Sequence, residues 1–411
     1  MMPRGLLTLL SGNGLAQLIT LLAVPLPGRV YDPVAFGQLA AVMAIVSLTT
    51  VLVHGRYHLA IPVAGSEDEA RSLLWLATIG SLTLSLPAVL LVYALVGEVP
   101  EGLTFWPLIL VAAGMSFLSA LIDILAYWRS YRERFDVSAR LSVVRSASTV
   151  VGQVLLSFTH ALGLLIGTVV GTFIAACGAL LEIMRWDREA LKVPKISHLN
   201  SVARKFYSYP VYGVPQGWLA AFSWNAMPLL LLRFGGTALA GQYWIAYRLL
   251  VAPVSLFNGA YRQATLPVLR KMDGPERWAL ARKHTTFIAF ATIVPFALLF
   301  WVGDQLFALL IGNQWALAGM IAGWLGIGVF ADLFKIPTLC LLQSQNLQRR
   351  LLIWEAIIVV VRYSVAIWFL INDQALHAIA VFAGVGFIGW LLACFVELVL
   401  RTHNDAPGTE D

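Results

Sequence analysis

The chain has 411 residues, of which 59% are hydrophobic and only 12% charged, and its mean hydropathy is +0.79. Such a composition excludes a soluble globular domain, a disordered chain and a disulfide-built secreted module. The net charge of +6 is concentrated in the gaps between apolar runs, so it reads as membrane topology and not as a nucleic-acid surface.

A helix needs about 20 apolar residues to cross a hydrocarbon core of about 30 Å, so the chain has room for about twelve. In chain order the spans are predicted at 5–29, 34–55, 72–96, 103–126, 137–158, 162–184, 207–231, 239–266, 286–310, 317–342, 351–371 and 375–400. The first is read as a retained span, because the run is too long for a signal-peptide core and no small-residue cleavage site follows it. The apolar runs are continuous and lack period-2 alternation, which argues against strands. The tail 402–411 is polar and is expected to be disordered. Cys177, Cys340 and Cys394 lie inside spans with no metal-like spacing, so no zinc site, disulfide framework or other cofactor is suggested.

The gaps alternate in character. Arg129–Arg140, Arg185–Lys205, Arg270–Lys283 and Arg349–Arg350 are basic. The intervening gaps are short and hold almost no positive charge, with only Arg29 and Arg233 as cations near them. Cationic loops resist crossing during insertion. The pattern therefore places both termini in the cytoplasm of a multi-pass inner-membrane protein with an even number of crossings.

The hydrophilic segment 185–206 lies near the middle of the chain and divides it into six-span halves, 1–184 and 207–400. Short echoes suggest that the halves are repeats. Arg29 precedes Gly37-Gln38 as Arg233 precedes Gly241-Gln242, and Pro25 and Pro228 stand shortly before the two arginines. The expected fold class is an all-α polytopic membrane protein, with about 12 helices in two six-helix repeats around a central cavity. Parallel repeats of this kind face each other across a substrate path in transporters.

Polar residues within spans carry the candidate chemistry. Asn13, Gln17 and Thr20 share one face of the first span; they serve as interhelical glue or as a polar cavity wall. Ionisable residues at membrane depth are costly and mark function by default. Arg145, Arg248 and Arg362 lie well inside spans, where the alternative to a binding role is a buried structural pair. Arg56 and Arg262 lie at span ends, where the alternative is snorkelling to the headgroups. Five arginines on the second, fifth, eighth and eleventh spans suit an anionic passenger, since the guanidinium stays charged and grips phosphate oxygens bidentately. Among the acids, Asp332 and Lys335 are spaced for an ion pair on one helix, and ion coupling through Asp332 or Glu355 is the other reading. His54 and His58 lack a third ligand, and no nucleophile elbow, metalloprotease helix or phosphate-binding loop occurs.

Several segments carry a family resemblance. Ala16-Gln17-Leu18 through Pro25, Arg29-Val30-Tyr31-Asp32-Pro33 and Ala35-Phe36-Gly37 resemble the opening of bacterial polysaccharide flippases. These are the Wzx-type members of the multidrug/oligosaccharidyl-lipid/polysaccharide exporter superfamily. Arg56-Tyr57-His58-Leu59-Ala60-Ile61-Pro62, Gly241-Gln242-Tyr243 through Leu250, and Gly312-Asn313-Gln314-Trp315 are similar too, and all follow the family's order. His58 departs by standing where an acid is common, and there is no thirteenth or fourteenth span.

The resemblance implies translocation of an undecaprenyl-diphosphate-linked oligosaccharide between leaflets for O-antigen or other lipopolysaccharide-type surface glycans. It also implies membrane lipids as surroundings, coupling to H+ or Na+, and association of a monomer with polysaccharide polymerase machinery. No covalent chemistry is implied, and nucleic acid plays no part. Two other classes remain: a drug or cation antiporter of the same superfamily, whose cavity would be acidic, and a polysaccharide polymerase or ligase, which would need larger outer loops than these.

Overall fold

Helices follow directly from the continuous apolar runs, and no strand occurs among the described residues. The computed structural model describes residues 4–96, 98–272, 274–345 and 347–400; the side chain of Asn13 and the tail 401–411 lie outside the described residues. Arg4–Ala23 (α1) breaks where Pro25 removes a backbone donor, and Pro25–Val30 (α2) completes the first span. Pro33–Val53 (α3) opens on a strong start signal: the Ala35 N–H donates to the Asp32 carboxylate at 2.8 Å, and Pro33 occupies the first turn. This helix is apolar on all sides and is buried along most of its length.

Glu67–Val96 (α4), Phe105–Tyr131 (α5), Phe135–Leu155 (α6) and Ala161–Trp186 (α7) follow, with a 3-10 helix of about two turns at Tyr57–Val63 between α3 and α4. The short, amphipathic Ile196–Lys205 (α8) lies in the predicted linker. Val214–Lys271 (α9) holds the seventh and eighth predicted spans, interrupted only at Gly236 (φ 83°, ψ 168°). That conformation is open to glycine and strained for other residues. Gly274–Leu310 (α10), Ala316–Phe334 (α11), Ile336–Ser344 (α12), Gln348–Ile371 (α13) and Ala375–Phe395 (α14) complete the chain.

Every predicted span is thus helical. Eight described segments are long and apolar enough to cross a membrane on composition alone. Gly14–Val30 is a shorter apolar helix, and the helices in 135–155 and in the two parts of α9 carry polar residues such as Arg145, Gln216 and Arg248. The protein is a multi-pass membrane protein.

The chain divides into two compact units, Met1–Gly241 and Gln242–Asp411. The seventh span thus packs within the first of these units. The cause is local packing. The Glu101 N–H donates to Thr237 Oγ1 at 2.9 Å. A β-carbon added to Gly37 would meet the Thr237 carbonyl oxygen at 1.9 Å, and one added to Gly241 would meet the Pro33 carbonyl oxygen at 1.9 Å. Pro33 and Gly37 are offset from Thr237 and Gly241 by the same chain interval, so this contact is reciprocal, as at a local two-fold axis. A matching hydrogen bond recurs in each unit: Gln38 Nε2 donates to the Glu101 carbonyl at 2.7 Å, and Gln242 Nε2 to the Gln314 carbonyl at 2.7 Å. Both glutamines thereby bond to short turns without cations, at equivalent positions of the sequence echo.

At the basic-loop end of the first unit, ion pairs join separate segments. Arg132 bridges Glu67 at 2.6 Å and Asp187 at 2.8 Å, Arg134 pairs with Glu182, and Lys205 meets Glu69 at 2.5 Å. Trp128 Nε1 adds a bond to Asp187 at 2.9 Å. Beneath them Trp128, Ile124, Leu73 and Ile183 form a dry core with Ala60 and Ile61.

Candidate functional site

The sequence-predicted arginines fall into groups that belong to different units. In the first unit, α3 ends at Val53 and the chain turns through Gly55 and Arg56, both with positive φ (54° and 59°). The turn delivers the Arg56 guanidinium onto α9, where Gly217 leaves room for it: a β-carbon there would come within 1.7 Å of Nη2. His58 follows, 5% exposed, with its ring 3.9 Å from that of His54 and edge-on to Tyr127 at 5.0 Å. Burial, and next the Arg56 charge, hold the His58 imidazole down at about 4, so it is neutral at pH 7. Tyr127 lies within electrostatic reach of both Arg56 and Asp123, and Asp123 within reach of Arg145. Arg56, Tyr127, Asp123 and Arg145 therefore form one connected run through the first unit.

In the second unit, α11 hands over to α12 at Lys335, and Pro337 in the first turn of α12 fixes the break. Asp332 and Lys335 form the predicted ion pair, with side chains only 11% and 12% exposed. The Lys335 ammonium also lies 4.1 Å from the Trp390 ring centroid. Arg362 on α13 is 4% exposed, with its guanidinium carbon 4.3 Å from the Phe382 ring centroid and 5.5 Å from that of Tyr363. Glu355, two turns earlier on α13, lies within electrostatic reach of Lys335, Arg362 and Asp332. Tyr243 and Tyr247 stack at 6.1 Å beside the group, and Tyr247 feels Asp332 and Arg362. Two acids and two bases thus balance inside an aromatic shell, and removing one would leave a costly buried charge.

Arg248 stands apart on α9, half-buried, with its guanidinium 4.8 Å from the Trp244 ring centroid. It lies twelve residues beyond Gly236, which is about 18 Å of helix. Arg262 is exposed and donates to Gln343 Oε1 at 2.9 Å. Gln17 is half-buried on α1. No group of three potential metal ligands occurs among the described residues.

Sequence reasoning missed two things. Arg129 was counted with the basic loop, yet α5 runs on to Tyr131 and Arg129 is 2% exposed. The tyrosines flanking each charge group, Tyr127, Tyr243, Tyr247 and Tyr363, were also passed over as site residues. The available signal was helical spacing: Asp123, Tyr127 and Ser130 share one face of α5, and Ser138, Ser142 and Arg145 share one face of α6.

Comparison with known proteins places this geometry in a family. A family model described as "Polysaccharide biosynthesis protein" matches residues 28–319. No curated protein matches the chain in a sequence search. Among solved structures, the lipid II flippase MurJ in an inward closed conformation is similar, with a TM-score of 0.72 at 12% identity over 96% of this chain and 92% of that one. An inward-facing multidrug resistance MATE family transporter of the MOP superfamily gives a TM-score of 0.58 at 15% identity over 99% and 97%. A MATE structure in complex with MaL6 gives 0.58 at 14% identity over 98% and 96%. At these identities the likeness is one of fold alone, an all-α multi-pass membrane architecture. Matched over most of its length by the family model, the chain belongs to the polysaccharide biosynthesis protein family.

Proposed function

We propose that this protein moves an undecaprenyl-diphosphate-linked oligosaccharide from the cytoplasmic to the outer leaflet of a bacterial inner membrane, by alternating access and without covalent chemistry. The observation that carries the proposal is arginine well inside long helices in both units of a polysaccharide-biosynthesis chain: Arg145 on α6 in the first, Arg248 on α9 and Arg362 on α13 in the second. A diphosphate cannot cross hydrocarbon unpaired, and a guanidinium remains charged when desolvated. The lipid tail stays in the bilayer. The basic gaps and both termini face the cytoplasm in this reading, and the glycan so exported feeds surface polysaccharide such as O-antigen, in cooperation with a polymerase.

Arg248 is the arginine placed first in the mechanism, with Arg56, Arg145, Arg262 and Arg362 along the route and Asn13 and Gln17 as polar wall. Asp332, Lys335 and Glu355 serve as a structural charge group or as the coupling site for H+ or Na+. An acidic, cation-selective cavity is not favoured, because Asp332 is paired with Lys335 and Glu355 lies within reach of Lys335 and Arg362. The test is complementation of a flippase-deficient strain. Arg248→Ala is expected to insert normally and abolish export, since a phosphate left without its partner loses on the order of 2–5 kcal/mol. Arg248→Lys is expected to rescue only in part. Wild-type export from well-expressed Arg248→Ala would remove Arg248 from the mechanism.

A further inference from the structure

Between α5, α6 and α7, inside the first unit, lies a cavity of about 420 Å³ whose most buried cation has no role in the transport reading. It exists because α7 presents only Ala175 and Ala179 to it, one turn apart, while α5 and α6 turn their polar faces inward. Asp123, Tyr127 and Arg129 line it from α5, and Ser138, Ser142 and Arg145 from α6. We propose that this cavity is an anion site, built to take the phosphate group of a phosphodiester lipid or of free phosphate.

Arg129 carries the argument. It is 2% exposed; its Nε donates to Ser138 Oγ at 3.0 Å, and its Nη1 has no hydrogen-bond acceptor. A buried guanidinium N–H without an acceptor is costly, and a phosphate oxygen in the adjoining cavity removes that cost. The charge balance agrees. Asp123 and Arg145 offset each other across the cavity, so Arg129 leaves the lining one positive charge in excess. Glu182 lies within electrostatic reach of Arg129 and pairs with Arg134 through Oε1, while its buried Oε2 has no hydrogen-bond donor; neither group closes on the other by an ion pair or hydrogen bond among the described residues.

Depth adds a further point. Arg129 lies two residues from the end of α5, about 3 Å of helix, while Asp123 lies about 9 Å further in. That puts Arg129 at headgroup level, with Ile122 and Phe135 as apolar wall for the atoms attached to the phosphate. The proposal does not rest on the transport reading.

The test uses the full-length protein in neutral detergent, with three probes: dioctanoyl phosphatidylglycerol, dioctanoylglycerol, and inorganic phosphate at fixed ionic strength. Thermal-unfolding midpoints and native mass spectrometry are read for each. Saturable protection by the phospholipid but not by dioctanoylglycerol is expected. Arg129→Gln should weaken it about tenfold or more, as loss of a charge-assisted bond requires. Ser142→Leu, which fills the cavity without removing a charge, should do the same. Equal protection by inorganic phosphate assigns free phosphate as the ligand; protection by the lipid alone assigns a headgroup. Glu182→Gln should bind as well as wild type or better, because it removes a competing negative charge near Arg129; loss of binding there would mean that the anion is not held by the Arg129 charge and would overturn the proposal. Wild-type affinity in both cavity variants, or no saturable binding of either phosphate probe, would overturn it too. If Arg129→Gln does not fold, Ser142→Leu alone decides.

Discussion

Replacing Gly37 by alanine should test the reciprocal contact that draws the seventh span into the first unit. The added β-carbon would stand 1.9 Å from the Thr237 carbonyl oxygen and 2.8 Å from its carbonyl carbon. Ordinary carbon–oxygen contacts lie at about 3.3–3.6 Å, so the two backbones must separate by about 1.5 Å. The obstacle is main chain on both sides, and no rotamer relieves it. Overpacking of this kind costs about 3 kcal/mol, and alanine's better helix propensity returns about 1. A net loss of about 2 kcal/mol, or roughly thirtyfold in the folding equilibrium, is expected. Gly241→Ala faces the mirror obstacle at Pro33 and should behave alike, and the double variant should cost less than the sum because both relieve one contact. Gly114→Ala, which meets nothing within 4 Å, is the control and should be neutral or stabilising. Unfolding by sodium dodecyl sulfate in mixed micelles, followed by tryptophan fluorescence, gives the comparison. Gly37→Ala unfolding at the wild-type midpoint would refute the reasoning.

Three further outcomes are expected. Gly217→Ala should keep expression and stability but lower export severalfold, because the clash is with the flexible end of Arg56 and displaces its guanidinium; export equal to wild type would detach Arg56 from the mechanism. Asp332→Asn or Lys335→Met alone should reduce folded yield, at a cost on the order of 3–5 kcal/mol for a stranded buried charge, and the double variant should recover part of it. Full yield with lost transport in Asp332→Asn would point to ion coupling instead. His58 is neutral in the fold with its pKa held at about 4. Its contribution to stability is therefore complete above the ordinary value of about 6.5 and is lost as pH falls from there toward about 4, by at most about 1.4 kcal/mol per unit. The wild-type melting point should drop more steeply over that window than that of His58→Gln, and parallel curves would exclude the linkage.

The helices were legible because each apolar run is long, continuous and punctuated by proline, glycine or charge. Asp32-Pro33 announces the start of α3, and Pro25 the break before α2, from residue chemistry alone. The packing of the seventh span within the first compact unit was not legible, since hydrophilicity in 185–206 reports where water is and not which helices touch. What ties the seventh span to the first unit is close backbone approach at Gly37 and Gly241, and absent side chains leave almost no trace in hydropathy. The Asp332–Lys335 pair could be read because its members are one turn apart. Arg362 and Glu355 joining them could not, because that depends on how α11 and α13 pack. Arg129 was hidden by its neighbours: Arg132 and Arg134 made it look like one more loop cation.

Arg132, Arg134 and Lys205 have two duties that are separated in time. In the orientation proposed above, their positive charges decide which loops stay behind while the chain is threaded into the bilayer, and nearby carboxylates scarcely weaken that vote. Once the helices have gathered, Glu67, Asp187, Glu182 and Glu69 close on the same cations and bind four separate segments together. Charges consumed in sorting become the clasps of the finished unit, so swapping an acid here should leave the orientation untouched and loosen only the assembled protein.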